Sequence, residues 1–156
     1  MRKKTALITG GSRGIGRAIA LDLAAQEWAV AIGYRQNQAA AQATLDAMQQ
    51  KGGNGLALRA DVSDPQAATF LVRQVEKTWG HLDALINTVG PYHRQNFFES
   101  SVESWHAMFD HNLHPVFYLC RAAAAGMQER KWGRIINFAV ANADQLHSQP
   151  NVTAYY

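Results

Sequence analysis

A glycine-rich segment, TGGSRGIG at residues 9–16, constrains the fold of this chain more than any other feature. It lies directly between an apolar run, TALIT, and a helical pattern that begins at Gly14. Glycines let a backbone turn sharply and approach a ligand closely, and the N-terminus of a helix offers unpaired amides and the positive end of its dipole. In this strand–loop–helix context the segment predicts a dinucleotide-binding loop, with an ordinary turn as the alternative. A P-loop is excluded because no Lys-Ser or Lys-Thr pair follows the glycines.

Short apolar runs alternate with longer amphipathic stretches along the whole chain. The apolar runs TALIT, WAVAIGY, GLALRA, LDALIN and RIINF predict strands. Helices are predicted over residues 14–27 and 39–50, from a start at Asp64 and Pro65, and as one long helix over about residues 102–129. Five strands separated by helices indicate parallel pairing with right-handed crossovers. We therefore expect an α/β fold with a three-layer αβα sandwich, in a single domain over residues 1–156.

The composition excludes several classes of protein. At 47% hydrophobic and 17% charged residues the chain can bury a substantial core, which excludes disorder. The net charge of +3 is mild, and the basic residues are scattered apart from those at positions 2–4, so no nucleic-acid-binding stripe is predicted. No apolar stretch is long enough to span a membrane, so we expect a soluble protein. The single cysteine, Cys120, allows no disulfide framework and favours a reducing, cytoplasmic setting.

Three histidines fall on the long predicted helix, at His106, His111 and His114. They contain no i, i+4 pair of the kind that binds zinc on one helix face. Surface or subunit contact is the preferred interpretation, and we predict no metal site.

Four motifs together carry a resemblance to a known family. The glycine segment, ADV at residues 60–62, NTVG at residues 87–90 and Asn112 occur in the order of the classical short-chain dehydrogenase/reductase family. The pattern is most similar to that of 3-oxoacyl-carrier-protein reductase-like members. The resemblance implies a Rossmann-type doubly wound sheet and a nicotinamide cofactor, but not a particular substrate. It also implies cofactor contacts from the glycine loop, namely from Thr9, Gly10, Ser12, Arg13, Gly14, Ile15 and Gly16.

The end of the second strand bears on the choice of cofactor. NAD enzymes place a carboxylate there for the ribose hydroxyls, whereas arginine suits the 2′-phosphate of NADP. Here Tyr34 and Arg35 occupy that place, and Arg13 in the glycine loop supplies a second cation. These residues favour NADP, with a surface arginine after a strand as the alternative for Arg35.

Two further motifs supply cofactor contacts in this family. Asp61 and Val62 resemble its adenine-contacting pair, and the alternative for Asp61 is a turn aspartate that precedes the next helix. In NTVG, Asn87 and Gly90 match the usual N-N-A-G, where the asparagine bridges strands and the glycine leaves room near the cofactor ribose.

NTVG also departs from the family, at Thr88 and Val89. Because this turn is partly structural in the family, we expect both substitutions to be compatible with cofactor binding. Asn112 falls where the family has an asparagine that holds a water in a proton relay. It could also be a kink residue just before Pro115, and the two interpretations are compatible.

The sequence ends in TAYY, where Tyr155 aligns best with the proton donor of the family. Hydride reduction of a carbonyl builds negative charge on its oxygen, so hydrogen-bond donors and a proton source are needed. A tyrosine of pKa about 10 is a sluggish acid unless a cation lowers that pKa, which is the role of the family's lysine. That lysine would lie past residue 156, so we interpret AYY as the start of the catalytic helix and the sheet as truncated after its fifth strand.

The serine of the family has no evident counterpart. Anchoring on GRIIN places it at Ala139 or Val140, and counting back from Tyr155 places it at Asn142. Ser148 lies too close to Tyr155 in sequence to take its place. An asparagine amide can donate a hydrogen bond to an oxyanion, so Asn142 is a candidate substitute, with an ordinary loop asparagine as the alternative.

Two functions remain open from the sequence. The first is an NADP-dependent oxidoreductase that transfers a hydride between NADPH and a carbonyl or alcohol, of 3-oxoacyl type or another small ketone. The second is a catalytically weak or inactive NADP-binding partner or sensor, suggested by the missing serine. The family commonly associates through the helix that carries Asn112, so we expect a homo-oligomer, a tetramer.

Overall fold

The structure is a computed structural model and describes residues 2–139 of the chain. Strands and helices alternate along these residues, as expected. The strands are β1 Thr5–Thr9, β2 Ala29–Tyr34, β3 Asn54–Arg59, β4 Ala84–Asn87 and β5 Arg134–Asn137. The helices are α1 Gly14–Ala25, α2 Gln38–Gln50, α3 Pro65–Trp79, α4 Val102–Asn112 and α5 His114–Glu129, and a single 3-10 turn spans Phe97–Glu99.

All five strands form one parallel sheet in the order β3-β2-β1-β4-β5. The chain moves outward from β1 to β3, then crosses back to β4 on the other side of β1. The order therefore reverses beside β1, and ligands of doubly wound sheets bind at the carboxyl ends of the strands on either side of that point. This arrangement confirms the predicted Rossmann-type fold.

The sheet is covered on both faces, and every residue of its central strands β1 and β4 is buried. Leu7 points towards α3 and α5, where it joins Leu85 and Leu119 in one buried cluster. Its neighbour Ile8 points to the opposite face and packs with Ala20 and other buried residues beneath α1 and α2. Successive side chains of a strand alternate between faces, so a strand with consecutive apolar residues, such as residues 6–8 of β1, predicts this three-layer packing.

The prediction of one long helix was wrong. The helix expected over residues 102–129 is divided into α4 and α5, which meet at Leu113. Pro115 has no amide hydrogen to donate to the preceding turn, which ends the regular hydrogen-bonding of α4 at this point. The division leaves α5, with 16 residues, as the longest helix within residues 2–139. None of the helices in this range is both long and apolar enough to cross a bilayer.

Candidate functional site

The residues predicted to bind a cofactor gather at one edge of the sheet. Thr9 ends β1, Tyr34 ends β2 and Asn87 ends β4, while Asp61 follows β3. Because the strands are parallel, all these positions lie at their common carboxyl edge. The N-terminus of α1 lies at the same edge, directly after β1.

The glycine loop requires glycine at positions 10 and 16 for different reasons. Gly10 has φ of +69°, a left-handed conformation that glycine adopts without strain. A β-carbon added to Gly16 would lie 2.6 Å from the carbonyl oxygen of Gly10 and 2.6 Å from Oγ1 of Thr88. Glycine at position 16 therefore allows the start of α1 to approach the loop and the end of β4.

The outer part of the loop is open. Gly14 has φ of +54°, and no atom of the described residues lies within 4 Å of the place a β-carbon would take. The N-cap of α1 is Arg13, whose side chain is exposed and makes no capping hydrogen bond within the described part of the chain. The first amides of the helix can therefore receive an anion. The loop is crowded at Gly16 and open to solvent at Gly14, and this glycine cradle at the start of α1 fits a diphosphate. Ile15 is also exposed on this turn.

Two residues that support the loop were not identified from the sequence. Thr44 is buried on α2, and its hydroxyl lies 3.0 Å from the carbonyl oxygen of Ala40 and 3.3 Å from that of Ser12, so it can donate to either. Gly11 donates its amide to the carbonyl of Gly33 at 3.3 Å, and a β-carbon there would lie 2.5 Å from Ile32. Neither fits the glycine spacing of the motif, and the contact of Thr44 with Ser12 spans 32 residues, so no local signal marked them.

The arginine predicted to select the cofactor is paired with a carboxylate. Nη1 of Arg35 lies 3.6 Å from Oδ2 of Asp61, and both side chains are about half exposed. The carbonyl oxygen of Arg35 accepts a hydrogen bond from Nε of Arg59 at 3.2 Å. Arg35 and Arg59 therefore extend from the ends of β2 and β3 beside the adenine end of the predicted site.

Asp61 also organises the turn before α3. Its Oδ1 accepts hydrogen bonds from the hydroxyl of Ser63 at 2.8 Å and from the Ser63 amide at 3.1 Å. Partial burial raises the pKa of Asp61, but these hydrogen bonds and the charges of Arg35 and His111 outweigh it, so the pKa lies below its ordinary value. Val62 is buried in the core. Asp61 is therefore the turn aspartate that the sequence offered as an alternative to a cofactor contact. A turn aspartate can still contact a ligand.

Asn87 joins two strands, as the sequence suggested. Its Nδ2 donates to Oδ1 of Asn137 on β5 at 2.8 Å and lies 3.8 Å from Sγ of Cys120. Asn87 is buried, and its Oδ1 has no hydrogen-bond partner among residues 2–139. Cys120 is half-buried beside both asparagines, which agrees with a small packed residue.

Asn112 lies at the junction of α4 and α5. Its Nδ2 donates to the carbonyl of Met108 at 2.9 Å and to that of Pro91 at 3.3 Å. Its Oδ1 contacts Gly90 so closely that a β-carbon on residue 90 would clash with it. The helix break, the loop after β4 and the predicted relay residue are therefore in direct contact. The alternative of a kink residue agrees with the geometry.

The other predicted catalytic residues, Asn142 and Tyr155, lie outside the described residues, as do Val140 and Ser148. Ala139 is described and exposed. Within residues 2–139 no three His, Cys, Asp or Glu side chains are grouped closely enough to hold a metal ion.

Comparison with known proteins agrees with this geometry. The family model described as short chain dehydrogenase matches residues 4–156. The chain is 34% identical over 149 residues to the 3-oxoacyl-(acyl-carrier-protein) reductase FabG of Staphylococcus aureus, which covers 92% of this chain and 61% of that protein. It is 35% identical over 152 residues to the 3-oxoacyl-(acyl-carrier-protein) reductase of Synechocystis sp., covering 97% of this chain and 62% of the relative. The chain therefore spans about three fifths of the length of these curated relatives.

Solved structures give the same result. The crystal structure of a dehydrogenase/reductase from Sinorhizobium meliloti aligns with a TM-score of 0.90 at 34% identity, covering 99% of this chain and 60% of that one. A short-chain dehydrogenase/reductase from Serratia marcescens aligns with a TM-score of 0.90 at 34% identity, covering 97% of this chain and 61% of that one. With the parallel sheet and the glycine cradle, these matches show that the chain belongs to the short-chain dehydrogenase family.

Proposed function

We propose that the chain is part of an NADP-dependent oxidoreductase that transfers a hydride between NADPH and a carbonyl or alcohol, of 3-oxoacyl type or another small ketone. The observation that carries the proposal is the cradle at the start of α1, where Gly16 admits no side chain and the outer loop is open. The two curated relatives are reductases, which favours an enzyme over a binding partner or sensor without chemistry.

The selection of NADP over NAD rests on charge. Arg13 and Arg35 are exposed cations on the loop and at the end of β2. An arginine guanidinium can form two parallel hydrogen bonds to a phosphate, whereas the hydroxyl of an unphosphorylated ribose gains little from it. When bound, the nicotinamide supplies the hydride.

The residues of the chain would hold and orient the reacting groups. We assign proton donation to Tyr155, an oxyanion contact to Asn142 and a supporting role in proton transfer to Asn112. The contacts of Asn112 to Pro91 and Gly90 support this last assignment, because they fix its side chain beside the loop that follows β4. The side chains of Tyr92 and Phe97, in and after this loop, are exposed at the same edge of the sheet.

We also propose a homo-oligomer, a tetramer, in a cytoplasmic setting. Trp105, Leu113 and Phe117 on α4, α5 and their junction are large apolar side chains with exposed fractions of 40%, 55% and 60%. Neighbouring apolar side chains of this size favour burial against another surface. Size-exclusion chromatography with light scattering would test the tetramer.

The cofactor assignment is tested by titration with both nucleotides. NADPH is expected to bind at least about tenfold tighter than NADH, which corresponds to about 1.4 kcal/mol. Arg35→Asp should erode this preference because a carboxylate repels the phosphate and accepts hydrogen bonds from ribose hydroxyls. Arg73→Asp, an equal charge change at an exposed position of α3, is the matched control. Equal affinities of the unaltered chain for NADPH and NADH would overturn the assignment.

A further inference from the structure

The threonine that departs from the family pattern contacts the glycine loop directly. The hydroxyl of Thr88 donates to the carbonyl oxygen of Thr9 at 2.6 Å. The amide of Thr88 also donates, to Oγ1 of Thr9 at 3.3 Å. These two bonds, both donated by Thr88, tie the end of β4 to the residue from which the glycine loop begins.

The same hydroxyl lies against two glycines of the loop. Oγ1 of Thr88 lies 3.0 Å from the place of a β-carbon on Gly10 and 2.6 Å from that on Gly16. The first glycine takes its left-handed turn immediately after Thr9, and the second belongs to the first turn of α1. One oxygen atom therefore sets how closely the β4 end, the loop and the helix N-terminus approach one another.

We propose that Thr88 is a positioning residue for the cofactor diphosphate, acting through Thr9 and the glycine cradle. Thr9 is 1% exposed, so its carbonyl oxygen depends on protein donors rather than on water. Without the Thr88 hydroxyl, that oxygen loses a donor and the loop gains freedom to shift. The amides at the start of α1 are then no longer held in one arrangement. Affinity for an anion falls because binding must also pay the entropy cost of ordering these amides.

The position of Thr88 also determines which cofactor property it controls. The diphosphate is common to NADPH and NADH, whereas Arg35 lies after β2 and is proposed to read the 2′-phosphate. A change at Thr88 should therefore weaken both nucleotides by the same factor. A change at Arg35 should alter their ratio.

The experiment measures the dissociation constants of NADPH and NADH for the full chain and for the variants Thr88→Val, Thr88→Ala and Thr88→Ser. Loss of the hydroxyl in the valine and alanine variants should weaken both nucleotides about tenfold, with the NADPH to NADH ratio unchanged. The serine variant keeps the hydroxyl and should stay within about threefold of the unaltered chain. Testing both valine and alanine separates the lost hydrogen bond from a change in side-chain volume.

Thr78→Val is the matched control, because it removes a threonine hydroxyl that donates to the carbonyl of Gln74 at 2.8 Å, at an exposed position of α3. A purely structural role for Thr88 would lower the melting temperature and leave both dissociation constants of the folded protein unchanged, and that outcome overturns the inference. A serine variant that binds as weakly as the valine variant overturns it as well.

The inference rests on the proposed nucleotide site. If the unaltered chain binds neither nucleotide, the proposed function fails; if it binds both and Thr88→Val binds them equally well, only the role of Thr88 fails.

Discussion

Arg35 and Asp61 form an ion pair across the ends of β2 and β3, with 3.6 Å between Nη1 and Oδ2. The cation proposed to bind the 2′-phosphate therefore has an anionic partner within the same site. Such half-exposed pairs contribute at most about 1 kcal/mol. A phosphate that carries close to two negative charges can displace this carboxylate from Arg35.

Replacing the carboxylate of Asp61 should increase the preference for NADPH over NADH. Asp61→Asn removes both the competitor for Arg35 and a negative charge near the phosphate, so the preference for NADPH over NADH should rise by up to about fivefold. The ratio of the two dissociation constants is the measurement, since any lost adenine contact affects both nucleotides alike. Asp46→Asn, at an exposed position of α2, is the charge-matched control. A lowered ratio would show that Asp61 assists Arg35 instead of competing with it.

The crowding at Gly16 gives a prediction about binding. Gly16→Ala places a β-carbon 2.6 Å from the backbone oxygen of Gly10, which cannot move without shifting the loop. We expect at least tenfold weaker binding of NADPH, measured by fluorescence titration. Gly52→Ala is the control, because Gly52 has φ of +79° and no described atom within 4 Å of its β-carbon position. It should cost about 1–2 kcal/mol of unfolding free energy and leave the dissociation constant unchanged.

The two asparagines Asn112 and Asn37 should respond oppositely to the same substitution. Asn112 donates through Nδ2 to two carbonyl oxygens, so Asn112→Asp turns a donor into a carboxylate that faces acceptors. Asn37 accepts from the amide of Ala40 at the N-cap of α2, so Asn37→Asp keeps the acceptor and adds a favourable charge. At neutral pH the melting temperature should fall by about 3–6 °C for Asn112→Asp and change little or rise for Asn37→Asp. Equal shifts would contradict the donor role of Asn112.

The assignments outside the described residues are tested by turnover. In a form of the protein with measurable activity, Asn142→Ala should lower kcat by more than tenfold with little change in cofactor affinity, because it removes a donor to the developing oxyanion. Tyr155→Phe should lower kcat further, since it removes the proton donor. Ser148→Ala is the control and should turn over normally. A large loss in Ser148→Ala with none in Asn142→Ala would transfer the oxyanion role to the serine.

A buried carboxylate at the opposite edge of the sheet should affect stability alone. Asp83 is 2% exposed and accepts hydrogen bonds from Arg2 at 2.7 Å and from the amide of Thr5 at 3.1 Å, with His81 Nε2 at 3.1 Å. Asp83→Asn leaves one of these donors facing an amide NH₂ and should cost about 3 kcal/mol in a denaturant titration. The dissociation constant for NADPH should not change, because the glycine loop lies at the other end of β1 and β4. Weaker NADPH binding by the folded variant would contradict this separation.

Local sequence signals accounted for much of the fold. β1 was predicted to the residue, because an apolar run between charged and glycine-rich segments has few other interpretations. The N-cap of α3 at Asp64 was likewise evident, since Asp-Pro marks a helix start. Pro115 gave a reason for a kink at Asn112, but it did not reveal that α4 and α5 would be separate helices.

The contacts between residues of the site could not be predicted from the sequence. Arg35 and Asp61 were each placed correctly at strand ends, yet their pairing arises only because β2 and β3 are neighbours in the sheet. Thr88 was identified as a departure from the family, but its partner Thr9 is 79 residues away. A threonine at the end of a strand is ordinary in any sheet, so nothing in its surroundings in the sequence indicated the hydrogen bond.

The same kind of hydrogen bond joins β1 and β4 at both ends. In each case a threonine hydroxyl of β1 accepts a hydrogen bond from a backbone amide at or beside an end of β4. Thr5 Oγ1 accepts from the amide of Asp83 at 3.2 Å, and Thr9 Oγ1 accepts from the amide of Thr88 at 3.3 Å. Between these two points the residues pair one to one, from Ala6 with Ala84 onward. Insertion or deletion of a single residue in either strand would break one of the two joints and turn the apolar side chains to the wrong face. Length variation among relatives should therefore be absent from these two strands and confined to the loops around them.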